Sequence, residues 1–333
     1  MVADSTTTAF RTKRAVVAAL TANILIALMK FTAAIFINSS ALLSEGFHSL
    51  ADTGNQAFLL LGIRLGAKPP DRGHPFGHGK ERYLWAFVVS LSIFIIGAVL
   101  SVHAGITKIL HPEPLRHPGW GFLVLALSFF FDSYSWRIAF RELRVTIKRR
   151  GLFLAIRESK APAIFIIFLE DSAAIFGLSI AFGGILLSCL TKNPVFDGAA
   201  SIIIGMILAL VAVVLFYETK SLLIGEGVSA TDLRKIKAAI ASVPEVKEVV
   251  NLLTMHLGPE DILVNIDINF ANGLSTDQVE EAIDKVERRI QKQLPAVKKI
   301  FVEAESLKKT PKKRTLRVKQ RRTQERSKDR GDK

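Results

Sequence analysis

The sequence predicts a multi-pass α-helical membrane protein with six transmembrane helices and a small C-terminal α+β cytoplasmic domain. Three observations carry this: six apolar runs of spanning length, Lys and Arg gathered in alternate connections, and a change of composition after Phe216. Half of the 333 residues are hydrophobic and the mean hydropathy is +0.33, yet the formal net charge is +14. So apolar a chain is not a disordered one, and it sits oddly with a soluble enzyme.

A helix needs about 20 apolar residues to cross a hydrocarbon core about 30 Å thick. Ala15–Ile37, Ala41–Ile63, Tyr83–Val102, Gly119–Trp136, Ala161–Leu190 and Gly198–Phe216 each supply such a run with at most two charged residues. Arg11, Lys13 and Arg14 precede the first span, and the first connection, Asn38–Ser40, has no Lys or Arg. The second connection has Arg64, Lys68, Arg72, Lys80 and Arg82; the third only Lys108 and Arg116. The fourth is dense, from Arg137 through Arg149 and Arg150 to Lys160, and the fifth has only Lys192. Positive residues mark the cytoplasmic side, so both termini are expected inside. Residues 1–10 are polar and the first span is too long for a cleaved signal. With no transit-like segment, a bacterial plasma membrane is the expected location.

After Phe216 come Gly225, Gly227 and Ser229, a hinge-like stretch, and then an amphipathic helix over Thr231–Val243. Val246–Leu257 and Ile262–Phe270 read as strands, the second alternating with Ile262, Val264, Ile266, Ile268 and Phe270 on one face. Ser275 caps a helix to about Gln293, and Val297–Ala304 is a last strand. The order suggests helices on one face of a small sheet. A unit of that size is marginal alone, which invites a second copy across a two-fold axis. The domain boundaries expected are 1–10, 11–224, 225–305 and 306–333.

The charge belongs mostly to the end of the chain. From Lys308 onward 13 Lys and Arg face three acids, so the tail carries ten of the 14 net charges. It reads as disordered. With no aromatic residue to stack on bases, its expected partner is anionic lipid headgroups and not nucleic acid. Cys189 is the only cysteine, which excludes an internal disulfide or a thiolate cluster.

Ionisable groups inside a bilayer cost several kcal/mol, so each is a functional candidate. His48-Ser-Leu-Ala-Asp52 in the second span places an imidazole and a carboxylate on one helix face. That pair suits either a divalent metal, zinc foremost, or a hydrogen bond between helices. Glu170-Asp171 in the fifth span adds two acids, and the pairs together favour a ligand cluster. The loop Asp71-Arg-Gly-His74-Pro-Phe-Gly-His78-Gly-Lys80-Glu81 has the spacing of a peripheral metal site, or of a loop that only faces water and headgroups. Blander readings suit other groups: Lys30 snorkelling outward, His103 bonding to a neighbouring helix, and Asp132 pairing with Arg137 or a serine, or else joining the pathway.

Taken together, the six spans, His48-Ser-Leu-Ala-Asp52, the loop His74-Pro-Phe-Gly-His78-Gly-Lys80-Glu81 and the helix–strand–strand–helix–strand domain resemble the cation diffusion facilitator family, from about Arg11 to Glu305. The resemblance implies a homodimeric exporter of Zn²⁺ or a similar divalent cation in exchange for protons, with a ferredoxin-like cytoplasmic domain. It implies transport ligands His48, Asp52 and Asp171, and a loop site of Asp71, His74 and His78. Where the family usually has His or Asp four residues before Asp171, this chain has Ile167. Glu170, Asn23 or water is then the expected replacement, as in a branch resembling zinc transporter nine that also carries Glu-Asp. More oxygen donors would admit Mn²⁺, Co²⁺ or Fe²⁺. Asp267 and Glu303, with Glu305 beside them, match cytoplasmic metal positions where His is usual, and His256 falls off those positions. The rivals are a membrane-embedded metalloenzyme, which the lack of His-Glu-x-x-His and Gly-x-Ser-x-Gly disfavours, and a sensor that binds metal without moving it.

Overall fold

The computed structural model describes residues 21, 23–150 and 162–305. The expectations for residues 1–10, for Arg11–Arg14, for Arg157 and Lys160 and for the tail 306–333 lie outside the described residues. The described residues form two compact units, one running to Glu226 with His256–Pro259, the other Gly227–Met255 with the described residues from Glu260 onward.

The first unit is helical: α1 (Asn23–Ile37), α2 (Ser40–Gly66), α3 (Glu81–Leu110), α4 (Pro118–Arg150), α5 (Pro162–Thr191) and α6 (Val195–Ile224). Among the described residues, Glu81–Leu110, Phe168–Thr191 and Val195–Ile224 are long and apolar enough to cross a membrane. Helix α2 has the length, at 27 residues, but buries Glu45, His48 and Asn55. Helix α3 outruns the apolar stretch expected for it and is π-helical over Ile93–Val99, a widened turn of a kind found often near functional sites.

The helices pack through a shared core that includes Leu42, Val89, Ile93, Leu125, Leu178, Ile185 and Leu208. Helices α3 and α6 touch backbone to backbone. A Cβ on Gly105 would stand 2.6 Å from the Gly198 carbonyl oxygen, and one on Gly205 2.9 Å from that of Ala98. In a setting with no hydrophobic drive between helices, such small residues permit the close packing that holds them together.

The α1–α2 turn is fastened by polar groups from distant helices. Asn38 takes the left-handed conformation, with φ 60°, that Asn tolerates at a helix end. Its carbonyl accepts from Lys108 Nζ at 2.6 Å, and its side chain donates to Glu113 at 2.8 Å. Ser39 caps α2, its hydroxyl accepting from the Leu42 N–H. The fully buried Asp197 of α6 then accepts from Ser39 Oγ at 2.5 Å, Ser40 N at 2.6 Å and Ser40 Oγ at 2.9 Å. A carboxylate at a helix N-terminus answers both the free N–H groups and the helix dipole.

The second unit contains α7 (Ala230–Ala241), β1 (Val246–Gly258), β2 (Asp261–Phe270), α8 (Thr276–Gln293) and β3 (Val297–Ala304), with sheet order β1-β2-β3. Strands β2 and β3 run parallel, with Asp267 opposite Glu303. Ile262, Val264, Ile266, Ile268 and Phe270 are all buried, as their alternation predicts, against Ile236 and Ile240 of α7 and Ala282, Val286 and Ile290 of α8. Ser275 and Gln278 form a reciprocal capping box at the start of α8.

Because Asp197 ties α6 to the start of α2, Asp197→Ala is expected to destabilise the helical unit by about 3 kcal/mol, leaving buried Ser39 and Ser40 donors without an acceptor. A lowered apparent Tm in detergent, with little change for a surface control such as Lys192→Ala, checks this.

Candidate cation site

Helix α2 presents a polar stripe to the interior. Glu45, His48, Asp52 and Asn55 stand at spacings of three, seven and ten residues, which places all four within about 80° of one another around the helix. Each keeps a buried atom with no hydrogen-bond partner among the described residues: Glu45 Oε1, both ring nitrogens of His48, Asp52 Oδ1 and Asn55 Oδ1. His48 Nε2 and Asp52 Oδ2 are 3.5 Å apart, so the i,i+4 pair does point one way. Glu45 and Asn55 are fully buried and His48 is 2% exposed, whereas the Asp52 side chain is 24% exposed, so the stripe is sealed at both ends and partly open at Asp52.

Three other helices answer it. From α5, Glu170 accepts from Asn55 Nδ2 at 2.7 Å, a bond buried on both sides. Asp171, its neighbour, is half-buried about 100° further round the helix. From α1, Lys30 lies at 0% exposure with Nζ 3.2 Å from Glu45 Oε2. From α4, Asp132 Oδ2 stands 3.7 Å from the same ammonium. Two expectations are thereby corrected. Lys30 does not snorkel, because a carboxylate within the bundle satisfies its charge more closely than distant headgroups. Among the described residues Asp132 pairs with Lys30 and not with Arg137 or a serine, because its helix turns it toward the α2 stripe. His103 is corrected too: it is exposed beside a 520 Å³ cavity lined also by Asn38, Lys108 and Glu113, and its ring makes no hydrogen bond to a described residue.

Asn23 is half-buried on α1, and its side chain bonds to no described residue. It lies seven residues from Lys30, just as Asp52 lies seven from Glu45, which sets the two at one depth about 10 Å from the Lys30–Glu45 pair. Position 167 lies on α5, its side chain outside those described. Glu45 and Asn55 escaped the sequence reading. The available signal was their spacing of three residues from His48 and Asp52.

Between α2 and α3, Asp71, His74 and His78 bring one ligand atom each within 4.8 Å of one another, the one such trio of His, Cys, Asp or Glu among the described residues. Asp71 accepts the His74 backbone N–H at 2.7 Å and lies 3.0 Å from His78 Nε2. That N–H holds the exposed Asp71 carboxyl below the usual carboxylate range. Gly77, at φ 88°, makes the turn that brings the two rings to 4.2 Å, tilted 41° to each other. In the second unit Asp267 and Glu303 are cross-strand neighbours, and the Glu305 N–H bonds to the Ile268 carbonyl, but no third metal-binding group joins them among the described residues. His256 is buried in β1.

Apolar helices around a stripe of buried polar atoms able to ligand a cation, followed by a small α+β unit, are the build of a membrane transport protein. The cation efflux transmembrane domain family matches residues 16–224, and the cation efflux protein cytoplasmic domain family matches residues 228–307. The chain belongs to the cation efflux family, whose members are divalent cation transporters and not enzymes. It is 31% identical to "Proton-coupled zinc antiporter SLC30A9, mitochondrial" of Xenopus laevis, over 77% of this chain and 46% of that protein. It is 27% identical to "Metal tolerance protein C4" of Arabidopsis thaliana, over 78% of this chain and 57% of that one. To "Manganese efflux system protein MneP" of Bacillus subtilis the identity is 22%, over 85% and 92%. The chain spans about half the length of the first of these.

The Asp71 carboxylate organises the 71–78 loop, so Asp71→Ala is expected to speed amide exchange at His74 and Gly77 about tenfold while α2 and α3 keep their protection. Since the carboxyl titrates below its usual range in the folded loop, the ordering holds above that range and is lost as pH falls through the lowered value. Hydrogen-exchange mass spectrometry from neutral pH down to below the usual carboxylate range measures both.

Proposed function

We propose that the chain exports a divalent cation, zinc foremost, from the cytoplasm in exchange for protons. On this reading six spans place both termini inside, two copies associate through the second unit, and helices rock about a site near the bilayer midplane. The observation that carries it is the α2 stripe, whose buried donor atoms lack partners among the described residues. Leaving such atoms unbonded costs free energy that a structural pair would not incur, and a cation at His48 and Asp52 repays it.

His48 and Asp52 are the proposed first ligands. Glu170, oriented by Asn55, and Asp171 are the candidates from α5, with Asn23 level with Asp52. Metal requires a neutral imidazole and ionised carboxylates, so its arrival releases protons and protonation releases it. With one face open at a time, more acidic conditions outside favour discharge there. One imidazole among several oxygens tolerates harder cations than a nitrogen-rich site does, which favours Mn²⁺ as a second cargo. Similarity to both zinc and manganese transporters supports the pair of readings. The loop of Asp71, His74 and His78 is proposed as a peripheral metal site, Asp267, Glu303 and Glu305 as at most a weak one, and the basic tail as a contact for anionic lipid headgroups.

Reconstituted into proteoliposomes with an imposed pH gradient, the protein is expected to move Zn²⁺ against protons. His48→Ala and Asp52→Ala should reduce flux to the protein-free background, and Glu170→Gln should reduce it about tenfold, with dimers intact by size-exclusion chromatography. Full flux in His48→Ala and Asp52→Ala would refute the ligand assignment. Metal binding without flux in the unaltered protein would favour the sensor.

A further inference from the structure

A lysine sealed inside a helical bundle needs one carboxylate to neutralise it, and Lys30 has two in reach. Its Nζ is 3.2 Å from Glu45 Oε2 and hydrogen-bonded to it. The second contact, to Asp132 Oδ2 at 3.7 Å, is an attraction without a hydrogen bond. The two acids differ in access. The Glu45 side chain is 0% exposed and that of Lys30 1%, whereas Asp132 is 22% exposed and Asp52 24%. Glu45 is also hemmed in: its Oε1 lies against Gly177 of α5, where any side chain would collide with it.

Charge accounting sharpens the asymmetry. Lys30 and Glu45 cancel as a closed pair, and Asp132 is left facing the partly open region that holds Asp52. Asp132 and Lys30 act electrostatically on Asp52, as do Glu170 and the His48 ring 3.5 Å away, and Glu45, Lys30 and Asp132 act on His48. A divalent cation seated at His48 and Asp52 therefore competes with the ammonium for the attraction of Asp132. Fixed repulsion from a buried ammonium would oppose cargo binding, and at low local dielectric that opposition is large. A loose second contact removes the difficulty, since the ammonium withdraws onto Glu45 without becoming unpaired.

We propose that Lys30 is a tethered counter-cation, shared between the sealed Glu45 and the partly open Asp132, which yields Asp132 to the divalent cargo and returns to it when the cargo leaves. Asp132 thereby becomes a residue of the cation path, and Lys30 a positioning residue that acts on the cargo through it. The proposal rests on the export reading. A purely structural role for Lys30 would need Glu45 alone, and would leave cargo affinity indifferent to Asp132.

The test is a zinc-binding cycle on the full chain in detergent, in a His74→Ala/His78→Ala background that silences the loop. Kd is read by competition with a chromophoric chelator. Lys30→Met/Glu45→Gln removes the closed pair together, so neither charge is left buried alone. This double change is expected to tighten zinc about tenfold while Asp132 is present, and to alter Kd less than about twofold when Asp132→Asn is added. Equal Kd values with and without the Lys30–Glu45 pair would overturn the proposal, as would equal tightening with and without Asp132. If the double variant fails to fold, Asp132→Asn alone decides: about fivefold weaker zinc supports the proposal, and an unchanged or tighter Kd overturns it. Absence of zinc binding in the parent background would overturn the export reading, and the counter-cation with it.

Discussion

Charge sealed among apolar helices has to be answered by other charge, by hydrogen bonds or by a cargo, and the organisation of the helical unit follows from how each buried group meets that demand. Asp197 is answered by the serines and free N–H groups that open α2, which fixes where that helix starts. Lys30 is answered by Glu45 one turn before His48, which fixes the rotation of α1 against α2. Helix α5 is held to α2 by the Asn55–Glu170 bond. The starting point, rotation and partner of α2 are thus all set by polar contacts, and apolar packing fills the space between. What those contacts leave over, chiefly the ring nitrogens of His48 and one oxygen of Asp52, is the chemistry available to a cation.

The parts legible in the sequence share one property: their partners are near in the chain. His48 and Asp52 are four residues apart, and Asp71, His74 and His78 lie within one loop, so helical and turn geometry alone brings them together. The alternation in β2 and the Ser275 cap at the head of α8 are equally local. The parts that were missed are joined across long separations. Nothing in the chain around Lys30 distinguishes an ammonium that snorkels from one that turns inward to Glu45, 15 residues on. The bond of Asp197 to Ser39 spans 158 residues. Glu170 and Asp171 point about 100° apart, and only the rotation of α5 shows that Glu170 bonds to Asn55 of α2. Neither did composition reveal the π-helical turn at Ile93–Val99, because an apolar run reads alike in α and π geometry.

The substitution at Ile167 acquires a physical meaning in this setting. On the proposed reading, a site that lacks an imidazole on α5 gains a carboxylate, Glu170, held by a carboxamide from α2 itself. Such a site offers harder donors and a charge balance shared with Lys30 and Asp132. Preference among zinc, manganese and related cations then depends less on one ligand than on how many negative charges the bundle keeps unneutralised. The loop trio is differently placed, with Asp71 and His74 exposed and His78 mostly buried.

The central claim is that the α2 stripe, completed from α5, is where the cation sits. X-ray absorption at the zinc edge on protein lacking His74 and His78 tests it most directly. The account predicts a first shell of one nitrogen and two or three oxygens at about 2.0–2.2 Å, lost on replacing His48. A shell unaffected by that replacement, or no bound zinc once the loop histidines are gone, would contradict it.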